Sequence, residues 1–183
     1  RGGARHLRRP LLDLLRAPAH RAASLVPGRE RRGALELDSI ESHIVLDEHR
    51  RVQRIESRIR NDAHRIIEEC MISANVCAAR FLVRHKMPTL FRVHASPQEE
   101  KLAALNEFLE PLGLKLENPE VPEPRNFSDL LNQASERRDS GLIQTVVLRS
   151  LPPAVYTPGN AGHFGLALKQ YAHFTSPIRR YPD

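Results

Sequence analysis

Twenty-three residues, DAHRIIEECMISANVCAARFLVR at positions 62–84, constrain this chain more than any other stretch. Ala63, Ile66, Ile67, Cys70, Met71, Ala74, Cys77, Ala78, Phe81 and Leu82 recur at i, i+3, i+4, i+7. That spacing gathers apolar side chains into one stripe of an α-helix. The pattern predicts a long helix with this stripe buried. Glu68 and Asn75 lie two turns apart along one flank of it, with His64 a turn earlier. A polar side chain at the rim of a buried face either meets a cleft or caps the stripe in solvent. Glu69 projects about 100° further round. Cys70 and Cys77, seven apart on the stripe and outside any CxxC pair, read as buried reduced thiols.

Upstream, Leu35 and Leu37, then Ile44 and Leu46, then Val52 suggest short strands, with turns near Asp38-Ser39 and Asp47-Glu48. Downstream, FRVHASP reads as an extended run entering a second helix. Ser96-Pro97-Gln98-Glu99 has the form of a capping box with proline at the first helical position. Leu102, Leu105, Phe108, Leu109 and Leu112 share one face, and Gly113 marks the C-terminal stop. ENPEVPEPRN is a proline-rich loop. SDLLNQASERR and GLIQTVVLRSL read as further helices, the second halted by Pro152-Pro153. PGNAGHFG supplies a turn with three glycines, followed by a β-like run.

Charge is informative only through its placement. Residues 1–33 hold nine Arg and two acidic residues, a balance of +7, whereas the other 150 residues stand at −1. The basic excess therefore belongs to the N-terminal stretch, where Pro10, Pro18 and Pro27 interrupt any long helix. Residues 1–28 read as a disordered basic arm or as damaged sequence. A DNA-binding module would rest on this stretch alone. No run of apolar residues is long enough to span a membrane. The chain opens on Arg rather than Met and stops within a helix start, so both ends are expected to be cut.

The final residues, HFTSPIRRYPD, carry the sharpest chemistry. Ser176-Pro177 is a helix-start signal, and a helix N-terminus already bears partial positive charge. Arg179 and Arg180 in that first turn are unfavourable unless a phosphate or carboxylate sits against them. His163 and His173 flank GHFGLALKQYAH, and no His pair there has the i, i+4 spacing of a helical zinc site.

The run NAGHFGLALKQYAHFTSPIRRYPD resembles the most characteristic stretch of the ribonuclease II/ribonuclease R (RNB) family of processive 3′-to-5′ exoribonucleases. RNDAHRIIEECMISANVCAARFL resembles that family's long helix, and RRGALELDSIES and FRVHASPQEEKLAALNEFLEPLGL are similar to other parts of its catalytic domain. The likeness covers residues 29–183 and leaves 1–28 unassigned. It implies an α/β fold: the C-terminal part of an RNB-type catalytic domain, long helices packed with a mixed sheet, truncated at both ends. It implies a cytoplasmic, monomeric parent enzyme that hydrolyses single-stranded RNA from the 3′ end to nucleoside 5′-monophosphates. Arg179 would be the catalytic group, assisting phosphodiester cleavage with its planar donor fork. Arg180 would contact phosphate or form a structural ion pair. Glu68, Asn75, Asn160, His163, His173, Thr175, Ser176 and Tyr181 would join Arg180 in binding RNA, with Glu68 and Asn75 facing the channel.

Magnesium is implied as the parent's cofactor, and hard divalent cations need clustered carboxylates. The seven aspartates, at 13, 38, 47, 62, 129, 139 and 183, form no DD or DxD arrangement. The resemblance places the family's aspartate cluster in the N-terminal half of the domain. This chain is thus expected to carry one wall of an active site without metal ligands, and to be inactive alone. The alternative is a non-catalytic RNA-binding or scaffolding protein derived from the same fold.

Overall fold

In the computed structural model, residues 26–37, 41–58 and 61–175 are described. Helix α1 spans Val26–Arg32 and leads by residues 34–37 to a hairpin of β1 (Glu41–Leu46) and β2 (Val52–Arg58). Asp47 makes the hairpin turn: its Oδ1 accepts from His49 N at 2.9 Å and Arg51 N at 2.8 Å. An aspartate that bonds backbone just ahead of it stabilises a turn in this way. The expected turn at Asp47-Glu48 is therefore present, while that at Asp38-Ser39 lies outside the described residues. Leu35 and Leu37 lie in no strand. Leu35 instead enters the core, and its N–H donates to Gly165 O at 2.9 Å.

Helix α2 runs Asp62–Arg84, the extent its periodicity predicts. Its orientation differs from expectation. The buried residues are Glu69, Asn75 and Ala79, on the side opposite the apolar stripe. Ile67 is 61% and Phe81 57% exposed, and Cys70 and Cys77 are free and exposed rather than buried. The polar residues can face inward because each finds partners there. Glu69 pairs with Arg29 Nη1 at 3.2 Å, and Asn75 is bonded to the segment 171–175. The stripe meets nothing comparable among the described residues, and neither do Ile44 and Ile55, cross-strand partners that are both exposed.

The main core lies further along. Helix α3 (Glu99–Leu109) is followed by a 3₁₀ turn, Glu110–Leu112, and Gly113 with φ 70° closes it in the left-handed region that glycine adopts freely. Helix α3 starts at Glu99 rather than at a Ser96 cap, because Gln98 is extended at φ −79°, ψ 151°. Helix α4 (Pro124–Ala134) begins within the proline-rich loop, with Pro124 at its first turn and Asn126 Oδ1 accepting from Glu123 N at 2.8 Å. Helix α5 (Ser140–Ser150) ends before Pro152-Pro153. Leu102, Leu105, Leu109, Phe127, Leu130, Ile143 and Val147, each at most 3% exposed, fill the space between these three helices.

Two strands join this bundle to α2. Strand β3 (Phe91–Val93) pairs antiparallel with β4 (Val155–Thr157). The strand thus precedes the glycine turn, where sequence placed it after. The run after the turn lies along β3 without a ladder, Arg92 N donating to Tyr171 O at 2.8 Å. A parallel bridge, His94–His163, and an antiparallel one, His163–Leu168, extend the pairing, so α/β character with mixed strand directions holds. Ala79 of α2, Phe91, Val93 and Ala172 form a second, smaller core.

Candidate nucleic-acid cleft

The end of β3 and the glycine turn are sewn together by backbone. His94 N donates to Gly162 O at 3.1 Å, and Phe164 N to His94 O at 2.8 Å. Gly162 has φ 80°, and a Cβ there would stand 3.0 Å from Leu168 O. At Gly165 a Cβ would meet His94 Nδ1 at 3.0 Å. These two glycines explain why the turn is glycine-rich: bare backbone is needed for the close approach.

His94 Nδ1 accepts from Gly165 N at 2.9 Å, and His163 Nδ1 accepts from Leu166 N at 3.2 Å. Burial lowers the pKa of His94, against a hydrogen bond with the Pro152 backbone and with a further push from Arg92. Burial also pushes His163 down, to about 4, helped by the charge of His94. Both rings are therefore neutral at pH 7 and serve as oriented acceptors at Nδ1 rather than as cations.

Beside them opens a cleft of about 640 Å³, onto which Arg32, Arg125 and Lys169 bring positive charge and Glu123 a single carboxylate. His94, His163 and Asn160 also line it. Asn160 Nδ2 donates to Lys169 O at 3.0 Å and its Oδ1 accepts from Gly162 N at 3.2 Å. That amide braces the loop carrying Lys169. The donor set, imidazoles and cations with one carboxylate, does not suit magnesium, which takes oxygen ligands. No group of three His, Cys, Asp or Glu that could hold a metal ion occurs among the described residues.

A run of rings leads from the cleft into the fold. His94 and His163 lie 5.1 Å apart between centroids, His163 and Tyr171 5.4 Å, Tyr171 and His173 5.4 Å, and His173 and Tyr156 5.6 Å. Tyr156 Oη and His173 Nδ1 share a hydrogen bond of 2.6 Å, and the Arg92 guanidinium sits 4.5 Å over the Tyr156 ring. Offset and edge-on contacts of this kind hold rings in fixed mutual orientation.

The expected site residues fall in several places. Asn160 and His163 meet at the cleft, and His173 and Thr175 lie in the segment leading away from it. Glu68 is partly buried on α2. Ser176, Arg179, Arg180 and Tyr181 lie outside the described residues. Asn75 requires correction as a channel-facing group: it is 1% exposed, and its amide oxygen is taken up by Phe174 and Thr175. Glu69, expected to point away, is 4% exposed and paired with Arg29. Sequence reasoning missed His94, Tyr171, Arg32 and Arg125. Only His94 left a signal, a histidine at a strand end just before a helix.

The chain matches the RNB domain over residues 6–183, which takes in most of the stretch left unassigned by resemblance. A boundary at 28/29 would fall inside α1. Ribonuclease R of Vibrio parahaemolyticus is 51% identical over 159 residues, covering 87% of this chain and 19% of that protein. Ribonuclease R of Escherichia coli K12 is 50% identical over 155 residues, covering 85% and 19%. The solved structure of Mycoplasma genitalium RNase R in complex with ribose-methylated single-stranded RNA superposes with a TM-score of 0.86 at 28% identity. It covers 91% of this chain and 26% of that one. The chain therefore spans about a fifth of the length of the curated relatives it matches. With its helices, its glycine turn and nearly its whole length matched, this chain belongs to the RNB-domain family.

Proposed function

We propose that this chain is part of a 3′-to-5′ exoribonuclease that hydrolyses single-stranded RNA to nucleoside 5′-monophosphates, with Arg179 acting on the scissile phosphate. One observation carries the reading: the glycine turn closes a cleft bearing Arg32, Arg125 and Lys169, and is continuous in sequence with Ser176–Tyr181. Cations beside neutral, oriented imidazoles suit a phosphodiester backbone better than a neutral or cationic ligand. The RNA held by the similar Mycoplasma genitalium RNase R supports the same class of partner.

In this reading Arg179 offers its fork to phosphate oxygens and stabilises charge that develops in the transition state. Arg180, Tyr181, Ser176 and Thr175 border the reacting end, while Asn160, His163 and His173 shape the wall behind it. Glu68 hydrogen-bonds a ribose hydroxyl, the group by which a protein tells RNA from DNA. Magnesium in the parent enzyme would be held by carboxylates from elsewhere in the domain, so the isolated chain does not turn over RNA. The parent acts as a cytoplasmic monomer. No described helix is long and apolar enough to cross a membrane.

The test is a full-length enzyme reconstructed around this chain, given 5′-labelled single-stranded RNA and magnesium. Stepwise shortening from the 3′ end with release of nucleoside 5′-monophosphates is expected. RNA binding without any shortening would instead establish the non-catalytic, scaffolding alternative.

A further inference from the structure

Phe174 is 66% exposed and follows directly on the run of rings that begins at the cleft. Tyr171, three residues earlier, is 6% exposed and sits between His163, which lines the cleft, and His173. What holds Phe174 is its backbone. Its N–H donates to Asn75 Oδ1 at 2.9 Å and reaches Ala172 O at 3.1 Å. Thr175 N and Oγ1 donate to the same Asn75 oxygen at 2.9 and 3.2 Å, while Asn75 Nδ2 donates to Tyr171 Oη at 3.1 Å. Asn75 is 1% exposed and Ala172 3%, so both anchors lie in the interior. An apolar ring left in water adds little to folding. Here buried polar groups nevertheless fix the stretch of chain that displays one.

We propose that Phe174 is a stacking platform for an unpaired base of the RNA strand held in the cleft. The inference rests on the reading of that cleft as an RNA site. Arg32, Arg125 and Lys169 answer phosphates, which carry the charge of a nucleic acid but none of its flat apolar surface. Proteins that hold single strands combine a cationic groove with aromatic faces on which the unstacked bases lie. The rings of the run do not offer such a face: Tyr171 is buried, and His163 is already packed between His94 and Tyr171. His94, His163, His173 and Tyr156 are partly covered, and Phe174 beside them is exposed. Every base has a π-face, so the contact tolerates any sequence. The backbone is already held before RNA arrives, so little ordering of the chain opposes the contact.

The chain contains no tryptophan, so Phe174→Trp supplies a single indole at that position. Its emission should be quenched as oligoadenylate RNA is titrated into the chain without magnesium, with binding followed in parallel by anisotropy of an end-labelled oligomer. Phe174→Ala should raise the dissociation constant for oligoadenylate by roughly fivefold to a hundredfold, the range for one stacked base. Phe174→Tyr keeps the flat face and should bind as the native chain does. Phe174→Leu keeps apolar bulk alone and should bind like the alanine variant. Phe174 belongs to neither core, so these substitutions leave folding intact. An abasic oligomer with the same ribose–phosphate backbone should bind the native chain and the alanine variant equally. Leucine as effective as phenylalanine, or an alanine effect of the same size on the abasic oligomer, would overturn stacking and leave the cleft an RNA site. Indole emission that stays constant while anisotropy reports binding would do the same. A native chain that binds neither oligomer would overturn the RNA reading of the cleft, and this inference with it.

Discussion

Acid should weaken this fold through His163, and the amount can be worked from its surroundings. The ring lies between His94 and Tyr171, its pKa pushed down to about 4 by burial, with the charge of His94 next in importance and Arg92 and His173 contributing. In the unfolded chain the same side chain titrates near 6.5. Between those values the unfolded state binds the extra proton, so stability rises with pH across the window. It is fully present above pH 6.5 and lost as pH falls towards 4. At 1.36 kcal/mol per pH unit the loss attributable to His163 is about 3 kcal/mol. His163→Asn is the suitable perturbation, because its amide oxygen can take the place of Nδ1 as acceptor for Leu166 N. Urea unfolding of both proteins from pH 7.5 to 4.5 reads the effect. The native protein should lose about 2.5 kcal/mol more than the variant across that range, which stops short of the folded pKa, with carboxylate titration common to both. His94, also shifted down, remains in the variant and leaves it some residual slope in the same direction. Parallel profiles would refute the assignment of His163 as a buried neutral ring.

Three further expectations separate roles within the site. Glu69→Gln strips the charge that answers partly buried Arg29 and should cost about 1–3 kcal/mol in denaturant unfolding, with discrimination between RNA and DNA ends unaltered; Glu68→Gln should do the reverse. Arg179→Lys in the full-length enzyme keeps charge but loses the planar fork, so kcat should fall by roughly a hundredfold or more while RNA affinity changes little. Equal losses in both would recast Arg179 as a phosphate anchor. Gly165→Ala drives a Cβ to 3.0 Å from His94 Nδ1 and should destabilise by about 1–3 kcal/mol; an unchanged melting temperature would mean the turn is not held against β3.

Local chemistry was legible from the residues in order. The 3.6-residue period located α2 and α3, Asp47 its turn, Gly113 its left-handed stop, and Pro152-Pro153 the end of α5. Each of these depends on neighbours within a turn or two, and that information is present in any short window. The expectation of phosphate chemistry at HFTSPIRRYPD rests on signals of the same local kind, capping residues, helix polarity and paired arginines, and Ser176 to Asp183 lie outside the described residues. What periodicity cannot say is which face of a helix meets a partner. The apolar stripe of α2 was plain in sequence, yet the fold turns Glu69, Asn75 and Ala79 inward. That choice is made by Arg29, 40 residues before Glu69, and by Thr175, 100 residues after Asn75. The cleft has the same origin, since His94 and Gly165 stand 71 positions apart and become neighbours only when β3 pairs with the glycine turn. Burial and hydrogen-bond satisfaction are properties of what lies across a gap in space. Tertiary structure alone therefore decided that Asn75 would hold backbone rather than face the cleft, because only the folded chain brings three donors to its one oxygen.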